Sequence, residues 1–206
     1  MSLHAVLVTA FEPFGGETVN ASWEAARRID GWRCGEAVVT ARKLSCAYGI
    51  CVSEFVETFE RLRPSIVLMT GQAASRGMIC VERVARLETS ATARDNRGAL
   101  GCAALAGPVR LQTAAPAYAV ARAIRETCAP VRVSADAGDY VCNHLYYGAL
   151  HYLAGASPTT AAIFIHLPAT PEQSSARASV RRLATTEAIR ALQAGILALS
   201  RQTGVI

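Results

Sequence analysis

The sequence predicts an α/β protein of one domain, in which helices cover both faces of a mainly parallel, mixed sheet. Short apolar segments rich in β-branched residues alternate along the chain with segments whose apolar residues recur at helical spacing. Hydrophobic residues make up 51% of the 206 positions, which argues against disorder. There is no internal repeat, low-complexity stretch or linker, so residues 1–206 are expected to form a single domain.

Continuous apolar runs identify the strands. The first is HAVLVTA, and it is followed by the breaker-rich loop FEPFGG. The fourth run is strand-like along its whole length, although Glu82 interrupts its apolar side. The predicted strands are residues 4–10, 37–44, 65–71, 78–86, 131–135 and 161–167.

Helical periodicity and capping residues identify the helices. Asn20 or Ser22 is a suitable N-cap for the first helix, and Pro64 ends the second. Residues 87–110 are rich in Ala, Gly and Thr without a clear period, which predicts a long loop. The predicted helices run from about residue 20 to 28 and over 48–62, 116–127, 143–153 and 172–201.

The charge of the chain does not indicate a nucleic-acid-binding protein. The formal net charge is +5, but all basic residues except Lys43 are arginines, and they are scattered along the chain. A nucleic-acid site would require a basic cluster or a recognisable binding motif, and neither is found. We therefore expect no nucleic-acid partner.

The N-terminal residues MSLHAVLVTAFEPFGG lack the basic start, long apolar core and cleavage site of a signal peptide. No apolar run approaches the ~18–20 residues needed to span a bilayer. We therefore expect a cytoplasmic protein without a membrane partner.

The cysteines are irregularly spaced and odd in number, without a C-x-x-C pair. In a reducing cytosol, most of them should be free thiols that pack as small hydrophobes. There are seven: Cys34, Cys46, Cys51, Cys80, Cys102, Cys128 and Cys142.

Cys142 differs from the other cysteines because it lies in AGDYVCNH, where a strand gives way to a helix. Packing, metal binding, a disulfide and nucleophilic catalysis are all open roles for it at this point. If the helix begins near Val141, the thiol lies in its first turn, where the helix dipole favours a thiolate.

A thiol nucleophile needs a base, and His166 is the best candidate because it ends another strand at the same edge of the sheet. His144 is two residues from Cys142 on the helix and would point elsewhere. Glu82 can orient the imidazole, since a carboxylate on an apolar strand requires a partner. The alternatives are a structural role for His166 and an ion pair of Glu82 with Arg83 or another arginine.

Other kinds of site have weaker support. The sequence contains no phosphate-binding glycine motif and no H-E-x-x-H motif. His144 and His151 have no evident third ligand, so we expect no metal. Phe11 and Phe14 are open to two interpretations, as core residues or as the wall of a pocket.

With these residues identified, the sequence resembles the type I pyroglutamyl peptidases, also called pyrrolidone-carboxylate peptidases. LVTAFEPFGGETVNASWEA is similar to the opening stretch of that family, and GQAASRGMICVERVA to its glutamate motif. SADAGDYVCNHLYYGALH is similar to its cysteine motif, and FIHLPATPEQ to its histidine segment. Four motifs in the right order, at the right intervals, make the resemblance specific over nearly the whole chain.

The resemblance implies a cysteine peptidase that removes an N-terminal pyroglutamyl residue from peptides through a thioester. Cys142 matches the nucleophile, His166 the general base and Glu82 the residue that orients the histidine. The family fold is a single α/β/α sandwich, commonly assembled as a homotetramer, and no metal or organic cofactor is implied.

The resemblance also implies a binding pocket for the pyroglutamyl ring. Phe11 and Phe14 match aromatic residues that sandwich the lactam. Asn20 and Gln72 match polar residues around the pocket, and backbone groups near Val141 match those that bind the lactam.

One segment departs from the family pattern. Leu87 stands where the family usually has Asn, and Thr92 stands where it has an arginine near the active site. Arg94 lies two residues later, and we expect it to replace that arginine in part. The alternative to an active peptidase is a weak or inactive relative that binds a pyroglutamyl-like ligand. A nucleoside-processing enzyme would require phosphate-binding residues that the sequence lacks.

Overall fold

The structure is a computed structural model and describes residues 4–88, 92–101, 107–173 and 179–204. The strands are β1 (His4–Phe11), β2 (Arg33–Cys34), β3 (Ala37–Leu44), β4 (Ile66–Gln72), β5 (Ile79–Glu82), β6 (Val84–Arg86), β7 (Arg110–Gln112), β8 (Val131–Ser134) and β9 (Ala161–Leu167). The helices are α1 (Ala21–Ala26), α2 (Ile50–Leu62), α3 (Ala117–Glu126), α4 (Val141–Ala156) and α5 (Thr185–Thr203).

Seven strands form one mainly parallel, mixed sheet in the order β2-β3-β1-β4-β9-β5-β8. The central pairs β1–β3, β1–β4 and β4–β9 are parallel. β5 is antiparallel to β9 and parallel to β8, and β2 is antiparallel to β3. The carboxyl ends of β1, β4 and β9 therefore meet at one edge of the sheet, as the sequence predicts. β8, the strand before Cys142, runs antiparallel to β9 and ends at the opposite edge, contrary to prediction.

Helices cover both faces of this sheet, which confirms the predicted α/β/α sandwich. α1, α3 and α5 pack on one face around a core that includes Val8, Leu68 and Ile165. α2 and α4 pack on the other face around Phe55 and Phe164, in the same cluster as Cys142. The central strands β1, β4 and β9 are largely apolar on both sides, as expected for strands that are buried on both faces.

α2 shows how the local sequence sets an element. Its buried residues Cys51, Phe55 and Phe59 recur every four positions, so they form one stripe against the sheet. The helix ends at Arg63, which adopts a left-handed conformation (φ 45°) and donates its N–H to Phe59 O at 2.7 Å. Pro64 follows and cannot continue the helix.

The predicted strand over 78–86 is wrong in one respect, because the chain divides there between two sheets. β5 ends at Glu82, and Arg83 bonds to Ser134 O and to Thr113 N. After this turn β6 pairs with β7 in a separate two-stranded sheet. β7 lies at the end of the segment predicted as a loop, and its three residues are too few to show a period.

Several helix boundaries also differ from prediction, and the starts of α4 and α5 are the two that matter most here. α4 begins at Val141, two residues earlier than predicted, so Cys142 lies inside its first turn. α5 begins at Thr185 rather than at residue 172. Before it, Arg182 donates to the carbonyl groups of Pro171 and Gln173. Residues 174–178 of the predicted helix lie outside the described residues. Among the described residues, no helix is long and apolar enough to cross a membrane.

Candidate active site

Cys142 and His166 meet on the same face of the sheet. Gly71 on β4 is the register partner of His166 on β9, and directly paired residues point to the same face. A β-carbon built on Gly71 would lie 2.8 Å from Cys142 Sγ. The thiol therefore occupies the space that a side chain at position 71 would fill, beside His166.

Cys142 lies where α4 begins against the sheet. Tyr140, two residues before Cys142, occupies the N-cap position in an extended conformation. No side chain forms a capping hydrogen bond with the helix there. The first backbone N–H groups of a helix have no partner within it, and they mark its positive end. The thiol, only 8% exposed, therefore lies beside donors that can bind a developing negative charge.

His166 and Glu82 form the second part of the site. His166 Nδ1 lies 2.9 Å from Glu82 Oε1, and both side chains are buried. Because a carboxylate only accepts hydrogen bonds, the proton of the neutral imidazole lies on Nδ1. This leaves Nε2 with a lone pair, as a general base requires.

Arg76, which the sequence analysis did not single out, binds the carboxylate of the His166–Glu82 pair. Arg76 Nη1 donates to Glu82 Oε1 at 2.5 Å, and Nη2 donates to Asp136 O at 2.7 Å. The partner of Glu82 is therefore Arg76, and not Arg83 as the sequence also allowed. The signal available was the position of Arg76 in GQAASRG, one loop before the glutamate.

Burial sets the charge state of the two reacting groups. It raises the pKa of the Cys142 thiol well above its usual value, although the nearby charge of Arg76 acts in the opposite direction. It lowers the pKa of His166, against the opposing effect of Glu82. The resting pair is a thiol beside a neutral imidazole, because burial outweighs the helix terminus that favours a thiolate.

His144 has a structural role that excludes it as the base. Its Nε2 atom accepts the N–H of Gly49 at 3.0 Å, at the start of α2. Its ring packs edge-on against Tyr48, with centroids 5.4 Å apart. Burial lowers the pKa of His144, which favours the neutral ring that this acceptor role requires. Among the described residues, no cluster of three or more His, Cys, Asp or Glu side chains is arranged to hold a metal ion.

Aromatic rings line the approach to α4. Phe14 lies in the loop after β1, as predicted, with its ring 5.9 Å from that of Tyr140. Tyr48, which the sequence did not single out, packs edge-on against Tyr140 at the same distance. Phe11 is not a loop residue, contrary to prediction. It ends β1 and is 1% exposed within the core, because β1 and β3 remain paired as far as Phe11 and Leu44.

The two predicted amide residues organise the loop that carries Phe14. Asn20 caps α1: its Oδ1 accepts the N–H of Ser22 at 3.0 Å, and its Nδ2 donates to Glu12 O at 2.9 Å. Gln72 Oε1 accepts the N–H of Ala21 at 2.7 Å. Both amides are buried, so they join the ends of β1, β4 and α1 into one unit. Val141, predicted for its backbone, is the first residue of α4 and is fully buried.

The segment that departs from the family pattern is fixed beside the same aromatic rings. Asp95 accepts the N–H groups of Tyr48, Arg97 and Ala99. The guanidinium of Arg94 is exposed and donates to Gly98 O at 2.7 Å, within its own loop. Arg94 thus contributes its carbonyl, which accepts the Tyr140 hydroxyl at 3.0 Å, whereas Arg76 is the arginine seen to bind Glu82.

Thr92, the other predicted residue of this segment, is exposed. Leu87 is partly buried against the core that contains Cys142, and its N–H bonds to Val109 O. Residues 89–91 and 102–106 of the predicted loop lie outside the described residues.

An α/β/α sandwich that places a cysteine at a helix N-terminus, beside a buried histidine–carboxylate pair, has the arrangement of a cysteine hydrolase. Comparisons with known proteins identify the family of cysteine hydrolases to which the chain is similar. The model of the pyroglutamyl peptidase family matches residues 4–202. The chain belongs to the pyroglutamyl peptidase family.

Individual relatives agree with this assignment. A pyrrolidone-carboxylate peptidase of Cupriavidus taiwanensis is 40% identical over 205 residues, covering 97% of this chain and 95% of that protein. The crystal structure of pyroglutamyl peptidase I from Bacillus amyloliquefaciens superposes with a TM-score of 0.91 at 32% identity, covering 97% of this chain and 98% of that one. Pyrrolidone carboxyl peptidase from Thermococcus litoralis gives 0.91 at 27% identity, covering 98% and 95%. These similarities support the peptidase over the non-catalytic alternative.

Proposed function

We propose that this chain is a cysteine peptidase that removes an N-terminal pyroglutamyl residue from peptides, with Cys142 as nucleophile, His166 as general base and Glu82 as the residue that orients the base. Family membership supports the activity. The observation that carries the assignment of residues is the position of Cys142 Sγ against Gly71, the strand partner of a histidine whose Nδ1 is bound to Glu82.

The first step is attack on the scissile carbonyl carbon. His166 takes the proton of the Cys142 thiol as the carbon–sulfur bond forms, which is necessary because burial keeps the thiol protonated at rest. The charge that develops on the carbonyl oxygen is stabilised by backbone N–H groups at the uncapped start of α4. The tetrahedral intermediate then breaks its carbon–nitrogen bond, and protonated His166 donates its proton to the departing amine.

The second step removes the pyroglutamyl group from the enzyme. Water attacks the thioester, and His166 accepts a proton from it. The carbon–sulfur bond breaks, which releases pyroglutamate and returns the proton to the thiol. Throughout, Glu82 keeps Nδ1 of His166 protonated and stabilises the imidazolium that forms transiently.

The chemistry of the substrate fits the surroundings of Cys142. Pyroglutamate is a small, neutral ring with one lactam N–H and one C=O, so its pocket should be mainly apolar with few polar groups. Phe14, together with Tyr48 and Tyr140, supplies the apolar wall, and the main chain near Val141 supplies polar groups. Phe11, Asn20 and Gln72 support this pocket from behind through the core and the cap of α1.

Release of a fluorophore from a pyroglutamyl amide by the purified chain tests the proposal. The wild type should hydrolyse it, and an alanyl or prolyl amide of the same fluorophore should not react. Cys142→Ala should abolish the reaction, and His166→Ala should lower kcat by about 10²–10⁴-fold. Full activity of Cys142→Ala in a folded protein would contradict the assignment.

We further propose that residues 1–206 form the single domain that carries this activity, and that it acts in the cytoplasm as a homotetramer without a metal or organic cofactor. Two large exposed hydrophobic side chains, Val109 (64%) and Tyr118 (68%), are candidates for the subunit contact. Light scattering of the wild type and of a Val109→Ser, Tyr118→Ser double variant tests the assembly.

A further inference from the structure

We propose that Arg76 is a positioning residue of this site, which balances the buried charge of Glu82 and joins that carboxylate to the loop leading to Cys142. The proposal rests on the roles proposed above for Cys142, His166 and Glu82. It adds a fourth side chain, which does not touch the substrate and acts through Glu82 and the main chain of Asp136.

The contacts of Arg76 reach both halves of the site. One nitrogen of its guanidinium donates to Glu82 Oε1, the same oxygen that binds His166 Nδ1. The other donates to the main-chain carbonyl of Asp136, six residues before Cys142. The rigid fork of the guanidinium therefore sets the distance between the carboxylate and the loop that leads to the nucleophile.

The negative charge of Glu82 requires a positive partner because the residue is 0% exposed. Its Oε2 atom is buried and, within the described part of the chain, has no hydrogen-bond partner. Both contacts of the carboxylate side chain thus fall on Oε1, one from Arg76 and one from His166. Loss of Arg76 would leave a buried charge facing only a neutral imidazole, which is a costly arrangement.

The sign of the effect on proton binding follows from the charges. The Glu82–His166 pair must remain without an additional proton for His166 to act as a base. A cation next to the pair disfavours proton uptake, whichever of the two groups takes the proton. In agreement, the charge of Arg76 lowers the pKa of both His166 and Cys142. Without Arg76, the pair should take up a proton at higher pH.

Other ionisable groups around the pair come from every neighbouring element. On the same strand as Glu82, Cys80 lies opposite His166 and contacts Arg132 of β8. From α4, the Tyr146 hydroxyl donates to Glu82 O. The carboxylate of Asp136, in the loop before α4, acts on His166 in the opposite sense to Arg76. Among the described residues, Arg76 is the arginine in direct contact with the Glu82 carboxylate.

The test compares Arg76→Gln, Arg76→Lys and the control Arg86→Gln. Arg86 also binds this loop, through Asp136 Oδ1 and Gly138 O. For Arg76→Gln we expect the acidic limb of the kcat/KM profile to move up by about one pH unit or more. At neutral pH, kcat should fall at least about tenfold, with a smaller change in KM. Arg76→Lys keeps the charge, so its acidic limb should stay near that of the wild type while kcat falls. Arg86→Gln should leave the acidic limb unchanged.

Two further measurements keep the proposal testable. Titration of the His166 ring by NMR reports proton binding without catalysis, so it tests Arg76 even if the wild type proves inactive on pyroglutamyl amides. If Arg76→Gln does not fold, the Arg76→Gln, Glu82→Gln double variant removes both charges. Because Arg76 acts mainly through Glu82, the activity of the double variant should stay within about tenfold of that of Glu82→Gln alone, and the remaining loss should come from the contact with Asp136 O. An unmoved acidic limb in folded Arg76→Gln, or a double variant at least about tenfold less active than Glu82→Gln, would overturn the proposal.

Discussion

A β-carbon at Gly71 would lie 2.8 Å from Cys142 Sγ and 2.9 Å from Cζ of Phe164. We predict that Gly71→Ala displaces the thiol and lowers kcat/KM by about 10²-fold, because small displacements of a reacting group have effects of this size. Gly155→Ala is the matched control. Gly155 lies in the same helix as Cys142, and a β-carbon there would have no neighbouring atom within 4 Å. Equal activity of the two variants would show that the thiol tolerates the methyl group.

Of the two phenylalanines in the FEPF segment, Phe11 should matter for stability and Phe14 for substrate binding. Phe11→Ala should lower the free energy of unfolding by about 3–5 kcal/mol, as for other buried phenylalanines. Phe14→Ala should mainly raise KM for pyroglutamyl substrates, since its ring lies beside Tyr140 at the start of α4. Urea denaturation and steady-state kinetics of both variants check this. A stability loss in Phe14→Ala as large as that in Phe11→Ala would place Phe14 in the core.

The cysteines should respond differently to two kinds of electrophile. Cys142 is buried with a raised thiol pKa, whereas Cys128 is exposed. Iodoacetamide should therefore modify Cys128 before Cys142, because reaction requires access and thiolate. A halomethyl ketone that carries a pyroglutamyl group should modify Cys142 instead. Peptide mapping by mass spectrometry distinguishes the two sites, and Cys128→Ser should keep full activity. Preferential reaction of the pyroglutamyl reagent at Cys128 would argue against a pocket at Cys142.

His144 should make the stability of the fold depend on pH. Because burial lowers its pKa in the folded state, the unfolded chain binds the proton more readily. The stabilising contribution is therefore complete above the unfolded pKa of roughly 6.5 and is lost as the pH falls. His144→Gln keeps an acceptor for Gly49 N–H but does not titrate. Its unfolding free energy should fall less than that of the wild type between about pH 7.5 and pH 5.5. Parallel pH profiles would contradict this role.

The altered loop should depend on Asp95 more than on Arg94. The exposed guanidinium of Arg94 bonds within its own loop, so Arg94→Ala should change kcat/KM by less than about threefold. Asp95 is 7% exposed and accepts three backbone N–H groups, including that of Tyr48. Asp95→Ala should lower stability by roughly 1–3 kcal/mol and raise KM. A loss of tenfold or more in Arg94→Ala would restore the expectation that Arg94 replaces the missing arginine.

The sequence alone was sufficient for the features that depend on neighbouring residues. The alternation of apolar runs with helical periodicity determined the α/β class and most element positions, because both periods are local properties of the chain. The position of Cys142 between a strand and a helix, and of His166 at a strand end, follows in the same way. The family was also recognisable, because its motifs are short and occur in a fixed order.

The tertiary structure decided what depends on how distant segments meet. Glu82 pairs with Arg76 rather than with Arg83 because the turn between β4 and β5 places the Arg76 side chain beside Glu82. The path of that turn cannot be read from the periodicity of the sequence. Phe11 is a core residue because β3 continues beside it as far as Leu44, a contact between segments over thirty residues apart. Burial likewise keeps Cys142 a thiol, since desolvation outweighs the favourable helix terminus and is set by the whole fold.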